Sequence, residues 1–206
     1  MKINIKEYLK KKLNTIRPKV ITKYDYYENK NANDLKSIAI PQFLMNHYRS
    51  RLNWCGKAVD LLSDRLSIKR FKNDFYNISA IFDENNADIL FDSAIKGALI
   101  SGCDFIYIKK DDDGKIKLEV VGGGNATGIL DETTALLKEG YAVLYRDPNN
   151  ANTILQDAYF TPEYTEFTDY ENGETWRVPN TSNKCLLVPV INKPKNNKKH
   201  LKKRTK

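Results

Sequence analysis

Apolar residues recur every three or four positions in two stretches of the first half of the chain, a spacing that predicts amphipathic helices. The first stretch is NWCGKAVDLLSDRL, residues 53–66. The second runs from Asp83 to Ser101, and Gly102 stands where a glycine commonly ends a helix. A weaker pattern of apolar residues four apart predicts a short helix over residues 2–13.

After Gly102 the period of the apolar positions changes to two, which indicates β-strands. DFIYIKK and KIKLEVV alternate on either side of DDDG and predict a β-hairpin. YAVLYR predicts another strand, and LQDAYFTPEYTEFTDY predicts one long strand or two strands broken near Pro162. Asn172 and Gly173 predict a second hairpin turn. Helices followed by antiparallel strands define the α+β class, which we assign to residues 1–192.

This order of elements predicts that N-terminal helices pack on antiparallel strands and hairpins around one core. Trp54 is expected to be buried there, and its replacement by alanine to cost about 3–5 kcal/mol. The residues expected to form the core and its structural motif are Trp54, Val59, Leu62, Leu66, Gly102 and Phe105.

The positive charge of the chain is concentrated at its C-terminal end. Residues 193–206 contain eight Lys and Arg residues and no acid, so 26 of the 34 basic residues are left to balance 26 acidic residues. The domain itself is therefore neutral, and the tail is expected to be solvated and disordered. Such a tail is expected to bind DNA or RNA without sequence selectivity. The side chains predicted to do so are Lys198, Lys199, Lys202, Lys203 and Arg204.

The stretch VVGGGNATGIL, residues 120–130, raises the question of a phosphate-binding loop. A dinucleotide-binding loop requires a third glycine where Thr127 stands, and a P-loop requires Gly-Lys-Ser/Thr where Gly128 precedes Ile129. The strand before the glycines belongs to a predicted hairpin, and not to a parallel βαβ unit. We therefore predict a flexible connector between strands.

The remaining reactive residues show no catalytic or metal-binding pattern. Three widely spaced cysteines and two histidines form neither a disulfide framework nor a zinc motif. Residues 111–113 are consecutive aspartates without the spacing of a calcium loop, and they fit a solvated hairpin tip. No apolar run approaches the roughly 18 residues that span a bilayer. We predict a non-enzymatic protein in a reducing cytosol, with no cofactor, no metal and no membrane contact.

Five segments resemble, in the same order, the N-terminal part of phage portal proteins of the SPP1-type family. The resemblance covers residues 5–195 and departs from the family pattern at Asn29, where the family has glycine, and at Lys193, where it has arginine. The segments that carry it are YDYYENK, NWCGKAVDLLSDRL, IFDENNADILFDSAIKGALISGCDFIYI, DAYFTPEYTEF and LVPVINKPK.

The resemblance implies the wing domain of a subunit in the ring at one capsid vertex, through which double-stranded DNA is packaged and ejected. It implies contacts with sister subunits, terminase, capsid or scaffold proteins and head-completion proteins, and a location in the virion after assembly in the bacterial cytoplasm. Members of the family continue into stem, clip and crown parts, whereas residues 193–206 do not resemble that continuation, so we expect a truncated form. The alternatives are a small non-enzymatic nucleic-acid-binding protein that uses its basic tail and, less favoured, a nucleotide-using enzyme.

Overall fold

The computed structural model describes residues 4–30, 53–68, 71–111 and 113–192. Within these ranges, helices come first and antiparallel strands follow, which confirms the predicted α+β class. The helices are α1 (Ile5–Tyr27), α2 (Trp54–Ser63), α3 (Ile78–Glu84) and α4 (Ala87–Ser101). The strands are β1 (Cys103–Lys110), β2 (Ile116–Val121), β3 (Ala126–Leu130), β4 (Leu137–Arg146), β5 (Ile154–Phe160), β6 (Tyr164–Asp169), β7 (Thr175–Pro179) and β8 (Leu187–Ile191).

The strands form two antiparallel sheets, one with the order β2-β1-β8 and one with the order β3-β4-β5-β6-β7. The predicted hairpin of β1 and β2 is confirmed, with Gly114 in the left-handed conformation at its turn. The predicted break near Pro162 separates β5 from β6, and the turn after Asn172 joins β6 to β7. Gly173 adopts a φ of 70° in that turn, a conformation that glycine takes at little cost.

Helix α1 extends well beyond the predicted residues 2–13. Val20 continues the stripe begun by Leu9 and Leu13, and these three side chains are buried. Leu9 and Leu13 pack against Tyr141 and Val143 of the five-stranded sheet. The helix continues past Pro18, although proline removes one backbone hydrogen bond, because this tertiary packing holds it on the sheet.

Charged side chains also tie α1 to the five-stranded sheet. Lys6 Nζ lies 2.7 Å from Glu166 Oε1 on β6, and Arg177 Nε lies 2.8 Å from Glu166 Oε2. The pKa of the Glu166 carboxyl group is lowered, and the hydrogen bond from Lys6 is the largest cause. Lys10 Nζ approaches the buried Asp157 at 3.4 Å. The N-terminal helix is therefore fastened to strands from the far end of the chain.

The helix predicted from Asp83 to Ser101 is interrupted, and this part of the prediction is wrong. Asn86 adopts a left-handed conformation with a φ of 47° between α3 and α4. The side chain of Asn85 bonds to the backbone of β2. Its Nδ2 donates to the carbonyl of Ile116 at 2.9 Å, and its Oδ1 accepts from the backbone amide of Leu118 at 3.0 Å. These contacts with the edge of the sheet compete with a continuous helix.

The core lies between the two sheets and beneath α1, and it differs from the predicted core. Phe105 is buried as predicted, and Gly102 ends α4 in the left-handed conformation as predicted. Val59 is half-buried. The predicted burial of Trp54, Leu62 and Leu66 is wrong, because α2 and the turn after it expose these apolar side chains.

Candidate functional site

Helix α2 presents small and polar residues to the rest of the domain. Gly56 and Ser63 are its buried residues, while Val59 and Asp60 on the same side are half-buried. Small side chains on this side allow α2 to approach α1 and α4 closely. The inward side therefore leaves no room for the large apolar side chains of the helix.

The start of α2 depends on the pair Asn53 and Gly56. Asn53 Oδ1 accepts a hydrogen bond from the Gly56 amide at 3.0 Å, which is an N-cap. A Cβ atom on Gly56 would come within 2.8 Å of Asn53 Oδ1. Glycine at this position leaves room for the Asn53 side chain as it lies in the cap, even though glycine lowers helix propensity.

Asp60 links three helices at the inward side of α2. Its carboxylate accepts a hydrogen bond from Tyr27 Oη at 2.9 Å and lies 3.1 Å from Lys96 Nζ. The hydrogen bond from Lys96 is the main reason that the pKa of Asp60 is lowered, and it raises the pKa of Lys96 in turn. Burial and then the bond to Asp60 raise the pKa of Tyr27. These contacts determine which side of α2 faces inward.

The outward side of α2 and the turn after it expose four large apolar side chains, which we call the α2 apolar surface. It consists of Trp54, Leu61, Leu62 and Leu66, which are 72%, 62%, 54% and 48% exposed, respectively. The helical period places Trp54 and Leu61 opposite Gly56 and Ser63, while Leu62 lies beside them and Leu66 follows the end of the helix. Neighbouring exposed apolar side chains are typical of surfaces that contact another molecule.

Further exposed apolar side chains follow α2 along the chain. Phe75 and Tyr76 are 86% and 84% exposed, and Ile89 at the start of α4 is 74% exposed. Phe71 is held by an edge-on contact with the ring of Phe82, at 4.6 Å between centroids. The helical part of the domain therefore exposes more apolar side chains than α2 alone provides.

The glycine-rich segment connects β2 of one sheet to β3 of the other. Gly123 is buried, and its amide donates a hydrogen bond to Asp104 Oδ1 at 2.8 Å. A Cβ atom on Gly123 would overlap the carbonyl oxygen of Cys103 and come within 2.9 Å of Ser101 Oγ. Glycine is needed here for close packing of the backbone, and the segment is a strand connector anchored to β1.

Asp104 is the buried acid that organises this connector. It is 2% exposed, and Ser101 Oγ donates to its Oδ1 at 3.0 Å in addition to the Gly123 amide. Gly97 of α4 permits the approach, because a Cβ atom there would overlap Asp104 Oδ2. Burial raises the pKa of Asp104, and its two hydrogen-bond donors oppose that shift.

We expect Asp104 to make stability depend on pH. When the pKa of a carboxyl group is higher in the folded than in the unfolded protein, the folded protein binds the proton first as pH falls. Stability then increases between the folded pKa and the lower unfolded pKa. Wild-type protein should therefore gain stability relative to Asp104→Asn as pH falls from neutral towards about 4, the usual pKa of an aspartate. Urea unfolding of both proteins across this range measures the difference. Parallel stability profiles would show that Asp104 titrates alike in both states.

A cavity of about 240 Å³ lies where α1 meets the two sheets. Its lining is mainly apolar, and Lys12 is its charged residue, with Nζ donating to the carbonyl of Gly128 at 2.9 Å. Cys103 also lines the cavity, and burial raises the pKa of its thiol to about 11. This thiol therefore stays protonated at neutral pH and is a poor nucleophile.

The predicted nucleic-acid-binding residues lie outside the residues that the structure describes. They are Lys198, Lys199, Lys202, Lys203 and Arg204. Within the described ranges, no three His, Cys, Asp or Glu side chains lie close enough together to hold a metal ion. None of the helices described there combines the length and apolar character needed to cross a membrane. The chain matches no protein-family model and no curated protein.

Sequence reasoning missed the organising roles of Asp60 and Asp104. Each stands among apolar residues, Asp60 between Val59 and Leu61 and Asp104 just before Phe105. An acid inside an apolar stretch is a recognisable signal, because burying an unpaired charge is costly. Its partners come from other elements, however, and only the folded chain identifies them.

Proposed function

We propose that this chain is a structural subunit that assembles with copies of itself into a ring of the phage portal type. The observation that carries the proposal is the outward orientation of the α2 apolar surface. Trp54, Leu61, Leu62 and Leu66 are exposed while the opposite side of the helix faces the domain. The five portal-like segments, which occur in the family's order, suggest that the assembly is a portal ring. The α+β fold is compatible with a portal wing domain.

Burial of the α2 apolar surface supplies a driving force for association. A fully buried leucine side chain stabilises by about 1.5–3 kcal/mol relative to an exposed one, so several such residues can support an interface. The equal numbers of acidic and basic residues outside residues 193–206 mean that copies of the domain do not repel one another through net charge. Contact between this surface and a different surface of the next copy generates a ring when the rotation from one copy to the next closes on itself.

In this proposal the chain works by assembly and does not catalyse a reaction. The ring at the capsid vertex surrounds double-stranded DNA during packaging and ejection. The terminase motor, which docks on the ring, supplies the energy for DNA packaging. Capsid or scaffold proteins and head-completion proteins are the other partners, and the virion is the site of action.

Replacing Leu62 with glutamate tests the surface directly. We expect wild-type protein to form oligomers whose fraction rises with concentration. Leu62→Glu should weaken association at least about tenfold, because it places a charge where the proposed interface buries a leucine. Sedimentation velocity over a concentration series measures this. Ile21→Glu is the matched control, because Ile21 is 45% exposed on α1, lies outside the α2 apolar surface and receives the same charge. Wild-type protein that stays monomeric, or equal effects of the two substitutions, would contradict the proposal.

The alternative function rests on the eight basic residues of residues 193–206. A nucleic-acid-binding protein that uses this tail should lose affinity steeply as salt rises. Removal of residues 193–206 should then abolish DNA binding and leave the oligomeric state unchanged. If DNA binding instead survives this deletion with sequence selectivity, the tail is not the binding element.

A further inference from the structure

Two arginine side chains from distant parts of the chain converge on the same pair of acceptors. Arg17 lies in α1, and Arg146 ends β4. Asn125 Oδ1 accepts from Arg146 Nε at 3.0 Å and from Arg17 Nη1 at 3.4 Å. The carbonyl of Ala151 accepts from Arg17 Nη2 at 3.0 Å and from Arg146 Nη1 at 3.1 Å. Both guanidinium groups are therefore fixed side by side.

In the part of the chain that the structure describes, no ion pair compensates the charges of this arginine pair. Among the residues that the structure describes, no carboxylate lies within 4.0 Å of Arg17 or Arg146. Burial chiefly lowers the pKa of Arg146, and the neighbouring positive charge of Arg17 lowers it further. Two like charges held together in this way attract an anion, because an anion removes their mutual repulsion.

The groups that hold the pair are themselves fixed by backbone hydrogen bonds. The carbonyl of Asn125 accepts from the amide of Val143 at 2.8 Å. The turn that contains Ala151 is closed by the amide of Asp147, which donates to the carbonyl of Thr153 at 3.1 Å. The arginine pair is thus organised before any ligand binds, which reduces the entropy lost on binding.

We propose that Arg17 and Arg146 form a binding site for a phosphate group. A guanidinium group carries five N–H donors, and each arginine uses two of them on Asn125 and Ala151, so each retains three. Paired planar donors match the oxygens of phosphate, to which arginine binds in bidentate fashion. The site lies on α1 and the end of β4, apart from α2, so it does not depend on the proposed assembly.

Thermal unfolding of the full chain in phosphate and in chloride at equal ionic strength tests the site. Inorganic phosphate at about 10 mM should raise Tm by about 2–4 °C relative to chloride, because a ligand that binds only the folded state stabilises it. Arg17→Gln and Arg146→Gln should each weaken phosphate binding at least about tenfold and remove this difference. Arg17→Gln is the safer variant, since Arg17 is half-exposed on a helix.

Lys19→Gln is the matched control, because it removes one positive charge from an exposed position of the same helix, two residues from Arg17. It should retain the full difference between phosphate and chloride. Equal Tm values in phosphate and chloride for wild-type protein would overturn the proposal, as would a phosphate effect that survives Arg17→Gln.

A second arm distinguishes free phosphate from the phosphates of a nucleic-acid backbone. A short DNA duplex is titrated into the full chain and into its Arg17→Gln variant, which carry the same basic tail, so that a difference between them reports on the arginine pair. A loss of duplex binding in the variant shows that the pair binds backbone phosphates. If duplex binding is the same in both proteins while Arg17→Gln still removes the inorganic phosphate effect, the site is selective for free phosphate or a phosphomonoester.

Discussion

Replacing Gly123 with alanine is expected to destabilise the folded protein by about 3 kcal/mol, near the upper end for overpacking of a well-packed site. The added Cβ atom would overlap the carbonyl oxygen of Cys103, which belongs to the backbone of β1 and cannot rotate away. Relief of the overlap would displace the connector and lengthen the hydrogen bond from the Gly123 amide to Asp104. Denaturant unfolding monitored by circular dichroism measures the loss.

Gly122 provides a matched control one residue away. A Cβ atom on Gly122 meets nothing within 4 Å, and its φ is not in the left-handed region. Gly122→Ala should therefore change stability by less than about 0.5 kcal/mol, because the added methyl group meets no neighbouring atom. Equal losses for the two variants would mean that flexibility of the whole segment matters, and not the close approach at Gly123.

Replacing Phe160 with alanine is expected to cost about 3–5 kcal/mol, as for other buried aromatic residues. Phe160 is fully buried, and its ring contacts the ring of Tyr107 edge-on at a centroid distance of 5.0 Å. Tyr107 lies on β1, so the contact joins the two sheets. Loss of the ring leaves a cavity at this junction. Urea unfolding gives the change in free energy.

Trp54→Ala tests whether Trp54 is exposed, as in the structure, or buried in the core, as the periodicity predicts. Trp54 is 72% exposed, so its loss should cost less than about 1 kcal/mol in monomeric protein. A loss of several kcal/mol at a concentration where the protein is monomeric would show that Trp54 is buried within the domain. The same substitution should weaken association, which sedimentation at higher concentration detects.

The β-hairpins were predictable because their signals are local. Alternating residues and the turn glycines Gly114 and Gly173 specify both turns without reference to the rest of the chain. The break at Pro162 is local for the same reason, since proline lacks the amide proton of a strand interior. Only the choice between one strand and two required the structure.

The orientation of α2 could not be derived from its apolar stripe. A stripe shows that one side of a helix is apolar, and it does not show whether that side meets this chain or another protein. The contacts of Asp60 with Tyr27 and Lys96 decide the orientation, and these partners come from α1 and α4. The interruption at Asn86 was missed because the contacts that accompany it are made with β2, far along the chain.

The convergence of Arg17 and Arg146 is also a property of the tertiary fold. The two residues are separated by most of the domain, and neither stands in a recognisable motif. Their shared acceptors, Asn125 and Ala151, belong to two further connecting segments. The periodicity of apolar residues does not predict that these four segments meet. The sequence therefore pointed only to the basic tail as a binding element for phosphate groups.

The attachment of α1 to late strands bears on how the chain folds during synthesis. Lys6 contacts Glu166, 160 residues later in the sequence, and β1 completes its sheet only when it pairs with β8. The ribosome therefore releases α1, with the apolar stripe of Leu9 and Leu13, long before its partners exist. Until β4 emerges with Tyr141 and Val143, the nascent helix is a natural substrate for chaperones that bind exposed apolar segments. Pairing over such distances also slows folding, because the loop entropy is lost before the contacts form.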